Sequence, residues 1–360
     1  GSSSAVRTVT GITMEGPDNL QQFSMIHFRA ELAPLLTNQR GILYWVCDPR
    51  SDGTFVSHGG DNEWVYMYPR SPLNDDSELS TEGYIEKVTS ALAVTGVSID
   101  ILRYSTWTMT SQLATSYQDK RVLLAGDAAH RFPPTGGMGL NTGVQDVHNL
   151  AWKLHEVMTG TQSVDFLNTY QSERRPIAER NAQASLENAF KMIEVFLALG
   201  ADPDPAISAA QFETALATPS SRDAVLRAIE NQSLHFDMLG LQIGYRYILD
   251  SSNSPIEPLT DATVRRYIPS SEPGNRLPHG WLLRNGATIS SLDMIPLDQH
   301  VLIAGPDFVT EDSCIRIGLD VDDPSDWWTS ILMMPRNAAL RVRPDQHIED
   351  RLSPLASHPR

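Results

Sequence analysis

The chain has 360 residues, enough for two or three domains, and its hydrophobic fraction of 41% and charged fraction of 20% are typical of a globular protein. Its net charge of −16 argues against nucleic acid and anionic membrane surfaces as partners, because both attract clustered Lys and Arg. The 2 cysteines form no CxxC and no metal-ligand spacing, so we expect no metal site and a reducing, cytoplasmic compartment. No apolar run approaches the ~20 residues that span a bilayer, so we also expect no transmembrane segment.

The first third of the chain predicts an antiparallel β-meander over residues 23–107. Aromatic and β-branched runs separated by turn formers carry this prediction. These runs lie at 40–49, 53–59 and 62–70. Residues 81–92 predict a helix inserted between the strands. The apolar run at 120–125 is too short for a helix and predicts a fully buried strand that ends at Gly126.

The middle of the chain predicts helices. Beyond Gly139 the apolar residues take helical spacing, and Gly160 predicts the end of that helix. One helical face collects Val144, Val147, Ala151, Leu154 and Met158. Helices are also predicted over 165–199, with a boundary or kink at Pro176, and over 206–235.

The last quarter of the chain predicts a small α/β unit. The loop-rich stretch 251–280 predicts a domain boundary before it. Three short strands are predicted in this unit, at 300–306, 314–320 and 339–345.

The stretch 121–143, RVLLAGDAAHRFPPTGGMGLNTG, has the composition of a ligand-binding loop. A strand that ends in Gly126-Asp127 delivers a carboxylate to the carboxyl edge of a sheet, where ligands bind in open α/β folds. The prolines stiffen the loop, and the glycines remove Cβ atoms so that backbone can approach a flat ligand. The start of the following helix favours an anion, or a ring that becomes anionic. For the glycines alone, a β–α turn without any ligand remains the alternative.

The longer string GDAAH..PP.GG.G.N.G.QD..NLAWKL resembles the flavin-contacting motif of the FAD-dependent aromatic hydroxylases, the para-hydroxybenzoate hydroxylase-like (class A) flavoprotein monooxygenases. Further along the chain, 169–181 is similar to the family's helix after the flavin loop, 239–247 and 273–282 to its connection into a C-terminal domain, and 339–348 to the last strand of that domain. The subgroup that the chain resembles is the phenol-hydroxylase-like one. The resemblance implies that the Asp binds the ribityl chain, that the prolines lie beside the isoalloxazine, and that the later residues bring backbone to the flavin pyrimidine edge. The implied cofactor-binding residues are Gly126, Asp127, Pro133, Pro134, Gly136, Gly137, Gly139, Leu140 and Asn141.

The family has two further FAD motifs. Its GxGxxG string occurs nowhere in this sequence. The opening GSSSAVR matches the family's D-G-x-x-S-x-V-R motif at Gly1, Ser4, Val6 and Arg7, with the Asp falling one residue before Gly1. Arg7 therefore joins the implied FAD-binding residues. We expect an N-terminally truncated chain without the unit that holds the ADP half of FAD, and weak or no FAD binding by this chain alone.

The fold implied by the resemblance is α/β (α+β). It consists of an incomplete FAD-binding Rossmann-like domain with an inserted antiparallel β-sheet substrate domain, a helical segment and a thioredoxin-like C-terminal domain. The implied units are 1–20 (remnant of the FAD-binding domain), 21–110 (substrate-binding sheet), 111–180 (flavin and ribityl side), 181–265 (helical) and 266–360 (thioredoxin-like, without CxxC).

The implied activity is hydroxylation of a small phenolic or aromatic substrate by O2, with FAD as cofactor and NAD(P)H as co-substrate, through a flavin C4a-hydroperoxide and without a metal. Baeyer–Villiger insertion, epoxidation, the choice of NADH or NADPH, and a homodimer remain open. The alternative is a repurposed non-redox binding protein or cyclase on the same fold. A plain NAD-dependent dehydrogenase would need the missing GxGxxG fingerprint.

Aromatic strand residues are the candidates for the substrate pocket, with ordinary packing as the alternative for each. They are Tyr44, Trp45, Trp64, Tyr66 and Trp107. Because neighbouring residues on a strand face opposite sides, Tyr44 and Trp45 cannot both line the pocket. Arg29 and Arg103 either bind a carboxylate or phenolate or lie on the surface. His130 is either a hydrogen-bonded loop residue or a proton shuttle, and no catalytic residue is assigned.

Overall fold

A computed structural model describes residues 1–36, 41–58, 62–70, 79–202, 204–249 and 258–352. The chain opens with α1 (Ala5–Thr10) and the short β1 (Met14–Glu15). A five-stranded antiparallel sheet follows, made of β2 (Gln21–Arg29), β3 (Leu43–Val46), β4 (Gly53–Ser57), β5 (Glu63–Pro69) and β6 (Asp100–Met109). Its strand order is β3-β4-β5-β2-β6, and α2 (Thr81–Leu92) is inserted between β5 and β6. The predictions of antiparallel strands and of a helix over 81–92 are confirmed, but only β3, β4 and β5 form a meander, because β2 lies between β5 and β6.

The two faces of this sheet have different surroundings, because side chains alternate along each strand. Ile26 and Phe28 of β2 are fully buried and share one core with Tyr84 and Val88 of α2. Phe23 points to the other face and lines a cavity. One face of the sheet therefore makes the core of this part of the chain, and the other is left for the site.

Four short strands connect the sheet to the helices: β7 (Gln112–Ala114), β8 (Gln118–Asp119), β9 (Val122–Leu123) and β10 (His130–Arg131). β1, β7 and β10 form a three-stranded antiparallel sheet, and β8 pairs with β9 in a hairpin. The prediction of a fully buried strand over 120–125 is wrong. Lys120 has a φ of 52° between the two hairpin strands, so the apolar run folds back on its predecessor and β9 is only half-buried.

The middle of the chain is helical. Its helices are α3 (Met138–Thr159), α4 (Asn168–Ala198), α5 (Pro205–Ala217), α6 (Pro219–Glu230), α7 (Leu239–Ile243) and α8 (Asp261–Arg265). Gly160 ends α3 in the left-handed conformation, as predicted. Pro176 lies inside the 31 residues of α4, so the predicted helix boundary there is wrong. Across the described residues, we find no helix that combines the length and apolarity of a membrane span.

The predicted apolar face of α3 is largely exposed. Val144 and Val147 keep 61% and 57% of their surface accessible, whereas Met138 and Trp152 of the same helix are buried. Val144, Val147 and Ala151 line an open cleft. The helical spacing identified this face, but among the described residues no core covers it.

The C-terminal part contains β11 (Trp281–Arg284), β12 (Ala287–Ser290), β13 (Val301–Ala304), β14 (Ile315–Arg316), β15 (Ala339–Val342) and β16 (Ile348–Leu352). β11 and β12 form a hairpin, and the other four form a mixed sheet in the order β14-β13-β15-β16. The three strands predicted here are confirmed. Residues 251–257 of the predicted boundary stretch lie outside the described part, and the bounds of the five implied units and the thioredoxin-like assignment stay predictions.

Candidate functional site

The loop between β10 and α3 has a backbone that requires glycine. Gly136 and Gly137 have φ angles of 94° and 65°, in the region that favours glycine. A Cβ on Gly136 would lie 3.1 Å from Cε of Met238, so the loop also packs closely against the helical part of the chain. A Cβ on Gly137 would meet nothing within 4 Å, which leaves open space beside the backbone.

An open cleft of about 800 Å³ lies on one side of this loop. Of the implied cofactor-binding residues, the ones that line this cleft are Gly126, Asp127, Gly139 and Leu140. Asp127 is exposed and makes no hydrogen bond or ion pair with any other described residue. At the start of α3, Gly137 is the N-cap and no side chain accepts from the first backbone N–H groups. A free carboxylate and an uncapped helix start therefore meet in one cleft.

Asp146 holds the motif in place from the buried side of α3. Its carboxylate accepts from Nε2 of His130 at 2.8 Å, from the backbone N–H of Gly126 at 3.1 Å and from Nε of Arg174 at 2.9 Å. Burial raises the pKa of Asp146, but the His130 hydrogen bond and the Arg174 charge outweigh it, so this pKa lies below its usual range. Asp146 is therefore ionised and fixes the turn that presents Asp127.

The opening segment contacts the same turn. Arg7 is only 8% exposed, and its Nη1 donates to the backbone carbonyl of Ala128 at 2.9 Å. Its Nη2 donates to the carbonyl of Ser2 at 2.8 Å. The structure thus brings Arg7 to the Gly126–Ala128 turn, about 120 residues away in sequence.

A largely apolar cavity of about 580 Å³ lies on the other side of the loop. Pro134, Thr135, Gly136 and Gly137 line it together with side chains from the free face of the sheet and from α4. The principal apolar lining residues are Phe23, Leu43, Trp45, Met67, Phe190, Ile193, Phe196 and Phe236. The loop therefore lines the cavity, and the first turn of α3, which directly follows the loop, lines the cleft.

Two titratable groups line this cavity, Asp52 and His235. Burial raises the pKa of Asp52 and lowers the pKa of His235. His235 is 3% exposed, and its Nε2 has no hydrogen-bond partner among the described residues. A hydrogen bond to the backbone of Asn188 opposes the shift of His235. Both shifts favour the neutral form, and perturbed groups of this kind cluster at functional sites.

The sheet register corrects the predicted substrate residues. Trp64 and Tyr66 are 3% and 2% exposed and belong to the core on the α2 side, and Tyr44 packs against that core. Trp107 stacks on Phe23 at 4.8 Å but does not itself line the cavity. Trp45, the alternative to Tyr44, does line it. The aromatic runs occupy both faces of the sheet, and composition alone did not separate them.

The remaining predicted residues lie either at the loop or on the sheet. Pro133 is buried, and the side chain of Asn141 donates to the carbonyl of Gly137 at 2.9 Å. His130 is fully buried against Asp146, which agrees with a hydrogen-bonded loop residue. Arg29 and Arg103 are exposed, and Arg29 pairs with Glu63.

Sequence analysis missed Asp52, Asp146 and His235. Asp146 lies within the recognised string, as the Asp of its QD pair, so a signal existed without a role. His235 lies 190 residues after Trp45, and its ring meets that indole at 5.3 Å only in the folded chain. Asp52 stands in a turn whose sequence looks like any other turn.

These features define a class of protein that binds a flat cofactor able to carry negative charge, beside an apolar cavity for a small molecule. The family model described as "FAD binding domain" matches residues 1–185. The chain belongs to the FAD-dependent aromatic hydroxylase family.

The relatives are hydroxylases and monooxygenases. The chain is 28% identical to the tetracenomycin A2 monooxygenase-dioxygenase of Streptomyces glaucescens, over 96% of this chain and 60% of the relative. It is also 28% identical to the 2,4-dichlorophenol 6-monooxygenase of Delftia acidovorans, over 97% and 65%. The crystal structure of the flavin-dependent monooxygenase PieE in complex with FAD and substrate superposes with a TM-score of 0.87 at 26% identity, over 98% of this chain and 66% of PieE. The chain thus spans about 60–65% of the length of these curated relatives.

Proposed function

We propose that this chain forms the flavin and substrate site of an FAD-dependent monooxygenase that hydroxylates a phenolic compound with O2 and NAD(P)H. The observation that carries the proposal is the continuity of the loop with the start of α3: Pro134, Gly136 and Gly137 line an apolar cavity, while Gly139 and Leu140, in the first turn of the helix that follows, line the cleft with Asp127. A cofactor in the cleft would therefore lie next to a substrate in the cavity.

The residues of the cleft fit FAD. Open space beside Gly137 and Gly139 leaves room for a planar ring against the backbone. The unpartnered carboxylate of Asp127 matches ribityl hydroxyls as hydrogen-bond donors. The uncapped start of α3 supplies N–H groups and a positive dipole end for a ring that gains negative charge. When bound and reduced, FAD would supply the activation of O2.

The cavity fits an aromatic compound of more than one ring. Its volume of about 580 Å³ lies within the ~300–1,000 Å³ of small-molecule pockets. Trp45 and Phe236, with ring centroids 6.2 Å apart, offer flat apolar surface at one wall. The relatives include enzymes named for tetracenomycin and for dichlorophenol, so the family accommodates substrates of different sizes.

Neutral His235 is the candidate for holding the phenolic proton. Burial lowers the pKa of His235, so its imidazole is uncharged at neutral pH. A buried Nε2 without a partner is a costly feature that a phenolic hydroxyl would satisfy. Withdrawal of that proton makes the ring more electron-rich, which favours attack on an electrophilic oxygen. The expected oxygen-transfer route and the use of NAD(P)H stay predictions.

The test is an FAD titration of the chain followed by an activity assay. Because we expect this chain to bind FAD weakly, the titration extends to high FAD concentration. There the perturbation of the flavin absorbance should saturate, and Asp127→Ala should weaken binding further, whereas Asp100→Ala at an exposed strand position should not. NAD(P)H consumption with a hydroxyanthraquinone, together with an ¹⁸O-labelled product from ¹⁸O2, would support hydroxylation. Binding of the hydroxyanthraquinone by a chain that gives no flavin perturbation would instead support the non-redox binding alternative.

A further inference from the structure

A cluster of two histidines and one glutamate lies at the end of the sheet away from the loop. His27 is on β2, His58 directly follows β4, and Glu63 opens β5. The backbone N–H of His58 donates to the carbonyl of Glu63 at 2.8 Å, which sets these two residues side by side. One ligand atom from each of the three side chains lies within 4.8 Å of the other two. We propose that His27, His58 and Glu63 bind a divalent transition metal, with Zn²⁺ the best match.

The spacing of the ligand atoms supports this site. Nε2 of His27 lies 3.5 Å from Oε2 of Glu63, and it has no hydrogen-bond partner although it is buried. Zinc bonds of ~2.0–2.2 Å in tetrahedral geometry place neighbouring ligand atoms about 3.4 Å apart. His58 is exposed, and its ligand atom lies within 4.8 Å of the other two, so a bound metal would draw its side chain closer. The fourth position is then left for water.

His300 provides a contrast within the same chain. It too lies beside carboxylates, but both of its ring nitrogens are engaged, one at 3.0 Å from Glu349 and the other at 3.0 Å from Glu156. No lone pair of His300 is available for a metal. The nitrogen of His27 that faces its carboxylate makes no hydrogen bond, and this difference selects the His27 cluster.

Arg29 orients the carboxylate of the site. Its Nε and Nη2 donate to Oε1 of Glu63 at 3.0 and 2.7 Å, which leaves Oε2 toward His27. An outer partner that fixes a ligand in this way is usual around metals. The positive charge of Arg29 opposes the cation, so affinity should be below that of a four-ligand structural zinc site.

The metal would act as a structural clamp. Its ligands belong to β2, β5 and the end of β4, so binding ties three neighbouring strands together. His27 lies on the same strand face as Phe23 of the cavity, four residues and about 13 Å away. The clamp is therefore separate from the flavin and substrate chemistry, and it does not depend on the proposed function.

The experiment is a titration of the full chain with Co²⁺, whose visible absorbance reports coordination, followed by displacement with Zn²⁺. One equivalent should bind, and His58→Ala, His27→Ala and Glu63→Gln should each weaken binding about tenfold or more. His155→Ala, at an exposed histidine of α3 outside the cluster, is the matched control and should bind as the parent does. Absence of stoichiometric binding, or equal affinity in all four variants, would overturn the proposal.

A second measurement needs no variant and is unaffected by any loss of folding. With histidine ring nitrogens labelled by ¹⁵N, Zn²⁺ should shift the signals of 2 of the 10 histidines, assigned to His27 and His58. Shifts confined to other histidines would show that the metal binds elsewhere.

Discussion

Replacement of Asp146 by alanine should destabilise the fold by about 4 kcal/mol. The carboxylate is fully buried and accepts from three donors, of which Arg174 is a fully buried cation. Removing one partner of a buried ion pair costs ~3–5 kcal/mol. Arg174 keeps weaker contacts to Tyr247 and Gln145, which limits this cost, while the lost acceptor for Gly126 and His130 adds to it.

Urea unfolding followed by tryptophan fluorescence measures this effect. With an m value of about 3 kcal/mol/M, the midpoint should fall by about 1 M. Asp307→Ala is the matched control, because Asp307 also pairs with an arginine, Arg336, but both side chains are exposed and no measurable change is expected. A midpoint for Asp146→Ala within about 0.3 M of the parent would refute the view that Asp146 secures the turn. FAD affinity should fall in parallel, since the same turn presents Asp127.

Three further predictions follow from the geometry. Gly136→Ala should lower the free energy of unfolding by about 1–3 kcal/mol and weaken FAD binding, because the φ of Gly136 is 94° and the new Cβ would lie 3.1 Å from Met238. Gly96→Ala is the control in the same urea and flavin titrations. Gly96 also has a positive φ but open space around it, so its replacement should report backbone strain alone. Burial lowers the pKa of His300, but the hydrogen bonds and charges of Glu349 and Glu156 outweigh it, so this pKa is raised. The stabilisation of the fold by charged His300 is therefore present below about pH 6.5 and is lost as pH rises through the raised pKa. Melting curves of His300→Gln should lack this pH-dependent loss, and parallel pH profiles of parent and variant would contradict the assignment. Trp45→Ala should weaken binding of a hydroxyanthraquinone roughly three- to tenfold, measured by fluorescence titration. Tyr44→Ala, on the opposite face of the sheet, should lower the stability of the fold and leave the affinity unchanged. The reverse outcome would show that the substrate binds on the Tyr44 face of the sheet.

Local signals predicted the elements that depend on local chemistry. Ser80 caps α2 through its side chain, which accepts from the backbone N–H of Gly83, and the predicted helix coincides with α2. Gly160 ends α3 in a left-handed conformation, as glycine at this position predicts. The motif around Asp127 and Gly136 identified the loop that separates cleft and cavity. Periodicity and glycine positions therefore identified these elements and this loop, and the role of the loop in cofactor binding stays a prediction.

The substrate side depended on information that a single strand does not carry. Which face of the sheet meets α2 is decided by tertiary packing, so the sequence could not choose between pocket and core for Trp64 and Tyr66, which lie in the core. The periodicity also gave no prediction for the hairpin β11–β12 or for the strand β16. Likewise, His27 and His58 are 31 residues apart, and only strand pairing brings them to Glu63.

The buried charged residues also pair across long sequence separations that the sequence analysis could not predict. These pairs join the C-terminal part to the helices of the site. Arg343, just after β15, donates to both oxygens of Glu173 on α4 at 2.9 and 2.8 Å, across 170 residues of sequence. Glu173 also accepts from Lys153 of α3 at 2.9 Å, and Asp345 accepts from the α3 side chain of Asn149 at 3.1 Å. Among the described residues, the charged side chains that are at most 5% exposed are three cations and three anions. They are Lys153, Arg174 and Arg343 against Asp146, Glu173 and Asp345. Removing one partner from such a buried set is costly. Loss of the C-terminal contacts would take Arg343 from Glu173 and the acceptor Asp345 from Asn149, and would leave Lys153 as the remaining charged partner of Glu173. The C-terminal part therefore supports the geometry of the site through these contacts, and its Leu297 and Pro344 line the cleft.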